Sequence, residues 1–191
     1  SSVADTRTLW PIQKSTTGAA DLSLIVGQHQ YTMDGDSLIS VSVVKSESYK
    51  TSDGGIRYRY WWDHESGDYT IPSVACGWDI VNNEHVYLEI PIKEVAPAST
   101  GSGSVFNGLT SIIVSEGIET LRAAFYGASG LKSVSLPSTL KTIGPSSFCN
   151  CSALTSIDIP DSVETIGTRA FSGCNNLRQV KIIKIKFTMY L

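Results

Sequence analysis

Short apolar stretches with polar residues at alternate positions fill most of the first ninety-five residues of this chain. The clearest is GIRYRYWWDHE at 55–65, and alternation with a period of two is typical of β-strands. Turn-forming sequences such as MDGD at 33–36 and TSDGG at 51–55 separate these stretches. The pattern predicts about six antiparallel strands arranged as a β-sandwich or a meander, and we assign a β-sandwich-like domain to residues 1–96.

A run of small residues, APASTGSGS at 96–104, interrupts this pattern. Its composition is typical of a flexible connection, so we predict a linker over 97–104 and a second domain over 105–191. One alternative stays open at this point. HVYLEIPIKEV, just before the linker, is also interpreted as a degenerate first coil of the second domain, because Ile90-Pro91 echoes Ile159-Pro160.

The second half of the chain repeats itself. Leu131, Leu154 and Leu177 are 23 residues apart, and Leu109 opens an earlier copy that is one residue shorter. Each copy reads L-x-x-[IV]-x-[VLI], followed by a turn, a second apolar pair and a Phe. A fixed period in the twenties predicts stacked units that cannot bury their apolar sides alone, which is a solenoid. Such a chain presents a surface rather than enclosing a reaction.

The apolar positions of one repeat predict its interior. In the third copy, Leu154, Ile157 and Ile159 point inward from a short strand, and Pro160 ends that strand because it cannot donate to the next ladder bond. We expect residues 183–191 to form a capping strand that closes the open end. We also expect the repeated phenylalanines to stack, each contributing about 1.5–3 kcal/mol by burial. These are Phe125, Phe148 and Phe171.

The third copy, LTSIDIPDSVETIGTRAFSGCNN, closely resembles the BspA-type leucine-rich repeats of bacterial surface and secreted proteins. The resemblance covers roughly residues 105–182, where the inward pattern, the Pro corner, the Ile-Gly turn, Ala-Phe and Gly-Cys recur in register. It implies a right-handed solenoid with a parallel sheet of short strands on one face. It further implies an extracellular role in binding host proteins, matrix or other cells. The first copy lacks the Pro and the Cys, as a terminal copy would.

The outward positions of the predicted solenoid strands carry mainly small polar side chains, and the series ends with basic side chains in the last copy. Such a ladder is a candidate partner-binding face. The alternative is a merely solvated sheet surface, which we favour on composition because no cluster of Trp, Tyr or Arg lies there. The candidate residues are Lys132, Ser133, Ser135, Thr155, Ser156, Asp158, Arg178, Gln179 and Lys181.

The strand at 55–65 carries a second candidate site. Aromatic faces stack on sugar rings and Arg side chains hold hydroxyl groups, so one face of this strand is a candidate sugar platform. The opposite face, with Tyr58, Tyr60 and Trp62, is predicted to pack into the sandwich interior. The platform residues are Arg57, Arg59 and Trp61, with Trp78 as a further candidate. Packing of the aromatic residues is favoured over a sugar site, because aromatic residues dominate cores.

Net charge, apolar runs and the amino-terminal sequence bear on the class of partner and on the cellular compartment. The net charge is −3, which divides into −6 over residues 1–100 and +3 over residues 101–191. Even the positive half has fewer basic residues than a nucleic-acid-binding protein usually carries. No run of 18 apolar residues exists, so we predict no membrane span. The chain begins SSVADTRTLW without a leader, and we expect any secretory leader to have been removed.

The cysteines do not indicate a metal site or a catalytic site. Cys151 and Cys174 occupy the same place in successive copies, which favours packed thiols, although a disulfide between them stays open. The Cys149-Asn150-Cys151 spacing lacks a second ligand pair for zinc, and no G-x-S-x-G or phosphate loop occurs. We therefore predict a secreted or cell-surface, non-catalytic protein-binding or adhesion module without a cofactor. The alternative is a carbohydrate-binding amino-terminal domain with the solenoid as a spacer.

Overall fold

The computed structural model describes residues 6–9, 27–97 and 106–182. These residues form strands and turns, with no helix among them, so the predicted mostly-β class is confirmed. The predicted linker, apart from residue 97, and the predicted capping strand at 183–191 lie outside the described residues.

Antiparallel pairing is confined to the amino-terminal part of the described chain. Four strands form a meander in which each pairs with the next: β1 (Thr6–Leu9), β2 (His29–Asp34), β3 (Ser37–Lys50) and β4 (Ile56–Asp63). Two further antiparallel strands form a hairpin, β6 (Val74–Val81) and β7 (Glu84–Pro91). Its turn residues Asn82 and Asn83 have φ of 53° and 64°, as a type I′ turn requires. A sandwich of two facing antiparallel sheets is not confirmed.

Parallel ladders form the rest of the described structure. The first consists of β5 (Ser66–Ile71), β9 (Gly108–Val114) and β11 (Ser133–Ser135), and it is continued by the pair β13 (Ser156–Ile159) and β15 (Gln179–Ile182). The second consists of β8 (Glu94–Val95), β10 (Thr120–Leu121), β12 (Thr142–Ile143) and β14 (Thr165–Ile166). Stacked coils with a parallel sheet on one face were predicted, and both are present; the right-handed turn of the coil stays a prediction.

The repeats begin earlier than the sequence pattern indicates. Tyr69 of β5 pairs with Ile112 of β9, and Val95 of β8 pairs with Leu121 of β10. Residues 66–96 therefore form a coil of their own, with the β6–β7 hairpin inserted between its two strands. The prediction that the copy opened by Leu109 is terminal was wrong.

This earlier coil changes how the two predicted domains relate. Its Pro corner is Ile71-Pro72 rather than Ile90-Pro91, because Ile71 pairs with Val114 at the end of β9. Both parallel ladders pass from the 1–96 segment into the 105–191 segment, and β3 also joins the second ladder by pairing with β8. The division into two domains joined by a linker stays a prediction.

A column of stacked rings runs along the interior, which we call the aromatic column. The ring centroids of Phe125 and Phe148 are 5.2 Å apart, and those of Phe148 and Phe171 are 5.3 Å apart, which confirms the predicted stacking. Phe106 extends the column at 5.5 Å from Phe125, and Tyr69 lies 6.5 Å beyond it. The column thus crosses from the repeats into the amino-terminal coil, and every rung adds apolar area to one continuous core.

Hydrogen bonds from two cysteine thiols connect successive coils. Cys151 and Cys174 are free, and their Sγ atoms donate to the carbonyl oxygens of Phe125 (3.2 Å) and Phe148 (3.0 Å) in the preceding coil. Burial raises the pKa of Cys151 to about 12, so this thiol keeps its proton and remains a donor. Of the two alternatives left by the sequence, the structure has packed thiols.

Glu94 joins three segments of the chain near the start of the second ladder. Its carboxylate accepts hydrogen bonds from Ser37 of β3 and from Arg122, whose Nε lies 3.0 Å from Oε1 and whose second nitrogen lies 3.3 Å from Oε2. Burial alone would raise the pKa of Glu94, but the hydrogen bonds from Arg122 and Ser37 outweigh it and lower the pKa.

We expect Glu94→Gln to reduce the free energy of unfolding by about 1 kcal/mol at pH 7, a modest value because Arg122 is largely exposed. A lowered pKa means that this stabilisation is present above the ordinary value of 4.5 and is lost as the pH falls through the folded-state pKa. The difference between the two proteins in urea unfolding should therefore be present at pH 7 and shrink as the pH is lowered towards 3. Glu164→Gln changes an exposed residue of the same charge and is the control. It should leave the free energy of unfolding unchanged at both pH values. A difference that persists unchanged at pH 3 would contradict a charge-dependent role.

Candidate functional site

The exposed side of β5, β9, β11, β13 and β15, which we call the strand face, holds the predicted partner-binding residues. All nine of them are exposed. Six lie within strands: Ser133, Ser135, Ser156, Asp158, Gln179 and Lys181. The other three lie immediately before strands: Lys132, Thr155 and Arg178. The parallel register places Ser156 beside Gln179 and Asp158 beside Lys181.

The strand face extends further than the sequence indicates. Asp68 and Thr70 occupy outward positions of β5, and Asp68 pairs in register with Ser111 of β9. The Asp68 carboxylate accepts a hydrogen bond from Thr110 Oγ1 at 3.3 Å. Sequence reasoning missed these residues because the inserted hairpin hides the coil to which they belong.

A groove of about 490 Å³ opens in the strand face between β11 and β13. The first ladder is interrupted there, because β11 pairs with β9 and β13 with β15, and no ladder joins β11 to β13 among the described strands. Four predicted residues line the groove, namely Ser133, Ser135, Ser156 and Asp158. Residues of the corners after the strands complete its walls and were not predicted: Glu116, Ser138, Pro160 and Asp161.

The groove is anionic. Three of its lining residues carry carboxylates, and none of its lining residues is basic. The Glu116 carboxylate accepts hydrogen bonds from the backbone nitrogen of Ser138 at 2.9 Å and from its hydroxyl at 3.0 Å. These bonds lower the pKa of Glu116 and keep it charged. Carboxylates beside serine hydroxyls match a cationic group that donates several hydrogen bonds.

The candidate sugar platform lies on one face of the β3–β4 hairpin. Arg57, Arg59 and Trp61 stand directly opposite Tyr49, Glu47 and Lys45 of β3. Arg59 forms an ion pair with Glu47, and its guanidinium carbon lies 5.8 Å from the centroid of the Tyr49 ring. The structure therefore brings the three platform residues to one face, but the Arg59 guanidinium is already engaged by a carboxylate.

The opposite face of this hairpin overturns one prediction. Tyr58, Tyr60 and Trp62 were expected in a sandwich interior, yet they are 62%, 43% and 41% exposed. Among the described strands β4 pairs only with β3, and no second sheet covers either face of β4, whose eight residues are all exposed. Alternation along the strand was predicted correctly, but burial of its aromatic face was wrong.

Comparison with known proteins identifies the repeats. Residues 104–189 match the BspA type leucine rich repeat region, in six copies. This segment, which is less than half of the chain, is therefore similar in sequence to that family. The resemblance noted in the sequence is thereby confirmed. No curated protein matches the chain.

Three solved structures are similar to this chain. A leucine-rich repeat protein from Eubacterium ventriosum is 30% identical, with a TM-score of 0.36, and the match covers 52% of this chain and 27% of that protein. The leucine rich repeat protein of T. pallidum is 19% identical, with coverages of 71% and 78% and a TM-score of 0.37. A leucine-rich repeat protein from Bacteroides ovatus is 19% identical, with coverages of 73% and 39% and a TM-score of 0.41. The chain thus spans about a quarter of the first of these proteins.

BspA-type repeats suggest a protein-interaction module, and proteins that carry them are typically bacterial surface or secreted proteins without catalytic activity. In this repeat region the groove brings serine and carboxylate side chains of the strand face and its corners together. None of the described segments forms a helix long and apolar enough to cross a membrane.

Proposed function

We propose that the chain is a non-catalytic, protein-binding adhesion module, secreted or exposed at a cell surface. Its groove between β11 and β13 receives a Lys or Arg side chain of the protein partner. The single observation that carries this proposal is the groove itself, which combines three carboxylates with serine hydroxyls on the predicted binding face.

The dimensions and charge of the groove support a side chain as its occupant. A volume of about 490 Å³ is at the lower end of binding pockets and suits a long side chain better than a folded element. Asp158 and Asp161 lie on one wall and Glu116 on the other, so a cation between them is attracted from both sides. Exposed basic residues lie elsewhere on the strand face: Lys132 just before β11, and Arg178 and Lys181 at β15, the strand next to β13. They favour acidic groups on the same partner.

The proposal is tested by selection from a random peptide library against the whole immobilised chain. We expect the selected peptides to be enriched in Lys and Arg, and Asp158→Asn to weaken their binding about tenfold, which corresponds to about 1.4 kcal/mol. Raising the salt concentration should also weaken binding. Glu84→Gln, which removes an exposed carboxylate from β7, is the matched control and should bind as the parent does.

Two results would contradict the proposed site. One is a set of selected peptides without basic residues. The other is binding that Asp158→Asn and Glu84→Gln leave equally strong.

Carbohydrate binding by the β3–β4 hairpin is the second candidate function, because Trp61 is 39% exposed beside Arg57 and Arg59. Under this alternative the repeats act as a spacer. Glycan-array binding that is lost on Trp61→Ala, but kept when Lys132 and Lys181 are replaced by Ala, would favour it. An array without signal for the parent chain would count against it.

A further inference from the structure

Strand β4 is an open sheet edge. It pairs with β3 over eight consecutive residues without a register shift, and among the described strands it has no partner on its other side. Its sequence, IRYRYWWD, contains neither Pro nor Lys, the residues that most often block pairing at an edge. A regular strand edge of this length offers main-chain N–H and C=O groups to another strand.

We infer that two copies of this chain associate edge to edge through antiparallel pairing of β4 with β4 about a two-fold axis at Tyr60. The two β3–β4 hairpins then form one continuous four-stranded sheet. The occupant of the open edge is thus a second copy, and the argument for it is the charge pattern of β4.

The charges of β4 complement themselves in this register. With Tyr60 facing Tyr60 of the second copy, Arg57 lies opposite Asp63 and Arg59 lies opposite Trp61. Two-fold symmetry produces each of these contacts twice. An opposite-charge pair and a cation–π contact directly across an antiparallel pair are both favourable. Asp63 also accepts from Lys45 Nζ at 3.1 Å within its own hairpin, so in the dimer it lies between two cations.

The aromatic face is also continuous in this register. Tyr58 lies opposite Trp62 of the second copy, on the same side of the sheet as the two Tyr60 side chains, because directly opposed residues share a face. Pairing therefore unites two exposed aromatic faces into one. Aromatic cross-strand pairs are among the most favourable in antiparallel sheets.

Neighbouring registers are less favourable. An axis at Arg59 places Arg59 opposite Arg59, which sets like charges against each other. An axis at Trp61 keeps an Arg59–Asp63 pair but shortens the paired segment to residues 59–63. An axis between two residues sets the aromatic face of one copy beside the charged face of the other.

The association is tested by sedimentation of the whole chain over a range of concentrations. We expect a concentration-dependent species of twice the 20.6 kDa of one chain. Arg57→Asp should abolish it by setting two carboxylates against each other. Adding Asp63→Arg, together with Lys45→Asp to keep an opposite-charge pair within the hairpin, should restore it by exchanging the charges. A chain that stays monomeric at all concentrations, or an Arg57→Asp variant that still forms the dimer, would overturn the inference.

Cross-linking tests the register independently. In a Cys76→Ser background, Tyr60→Cys places two cysteines about 5 Å apart between Cα atoms, within disulfide reach. Tyr58→Cys is the matched control on the same face, and it leaves the two cysteines about 14 Å apart between Cα atoms. Oxidation should give a covalent dimer with Tyr60→Cys only. Equal cross-linking of both variants, or hairpin binding to glycans or lipid vesicles by a chain that stays monomeric, would overturn the inference.

Discussion

Phe125→Ala is expected to lower the free energy of unfolding by about 3–5 kcal/mol. The ring is fully buried between Phe106 and Phe148, with centroids 5.5 and 5.2 Å away, so truncation leaves a cavity in the middle of the aromatic column. Small domains are stable by only about 5–15 kcal/mol, so this one change removes a large share of the total. Urea denaturation monitored by circular dichroism measures the loss.

The adjacent residue supplies the matched control for this experiment. Tyr126 is also aromatic, but it is 45% exposed, and Tyr126→Ala should cost less than about 1 kcal/mol. Similar losses for the two variants would show that stacking in the column does not carry the stability of the coils.

Gly144→Ala is the second change with a large expected effect, because two coils approach closely at this residue. A Cβ atom there would lie 2.5 Å from the carbonyl oxygen of Leu121 and 3.3 Å from the Cα of Arg122. The same carbonyl already accepts from the Gly144 nitrogen at 2.6 Å, so neither backbone can yield without weakening the ladder. We expect a loss of about 2–3 kcal/mol, measured as a lower midpoint in thermal or urea unfolding.

Gly130→Ala is the control for this substitution. A Cβ at Gly130 meets nothing closer than the Leu109 carbonyl oxygen at 3.5 Å, an ordinary contact distance. Its stability should stay within about 0.5 kcal/mol of the parent. Equal destabilisation by the two alanines would assign the effect to backbone freedom rather than to the approach of the coils.

The repeats could be predicted from sequence because every rung buries the same kind of side chain. Leu131 and Leu154 are fully buried, as their 23-residue spacing indicates, and Ile157 and Ile159 lie in the same core. Periodicity of this kind is imposed by stacking itself, so each copy supports the interpretation of the next. The outward residues of the strand face followed from the same period.

The first coil could not be predicted from that period. Its strands β5 and β8 are separated by the inserted hairpin, so its apolar residues fall outside the spacing of the later copies. The one available signal was Tyr69-Thr70-Ile71-Pro72, which matches Ile157-Asp158-Ile159-Pro160 in pattern. The corner residues that line the groove were missed for a related reason, because the groove follows from a break between ladders rather than from any side-chain pattern.

Alternation in β4 predicted two faces without showing what covers them. Burial of Tyr58, Tyr60 and Trp62 depends on whether another sheet lies against this strand, and a period of two carries no information on that point. Their exposure places large aromatic area at the surface, a feature typical of interaction sites.

The hairpin from Val74 to Pro91 also shows that a proline corner of this fold accommodates a long insertion. It leaves the coil after Pro72 and returns to it before Ile92. On either side of it, β5 still pairs with β9, with one register shift between Gly67 and Asp68, and β8 still pairs with β10. The equivalent corners follow Pro137 and Pro160, where peptide sequences from other proteins could be displayed without altering the spacing of the leucines. An insertion at either corner would stand over the acidic groove and control access to it, so loop grafting offers a route to tune which ligands this scaffold admits.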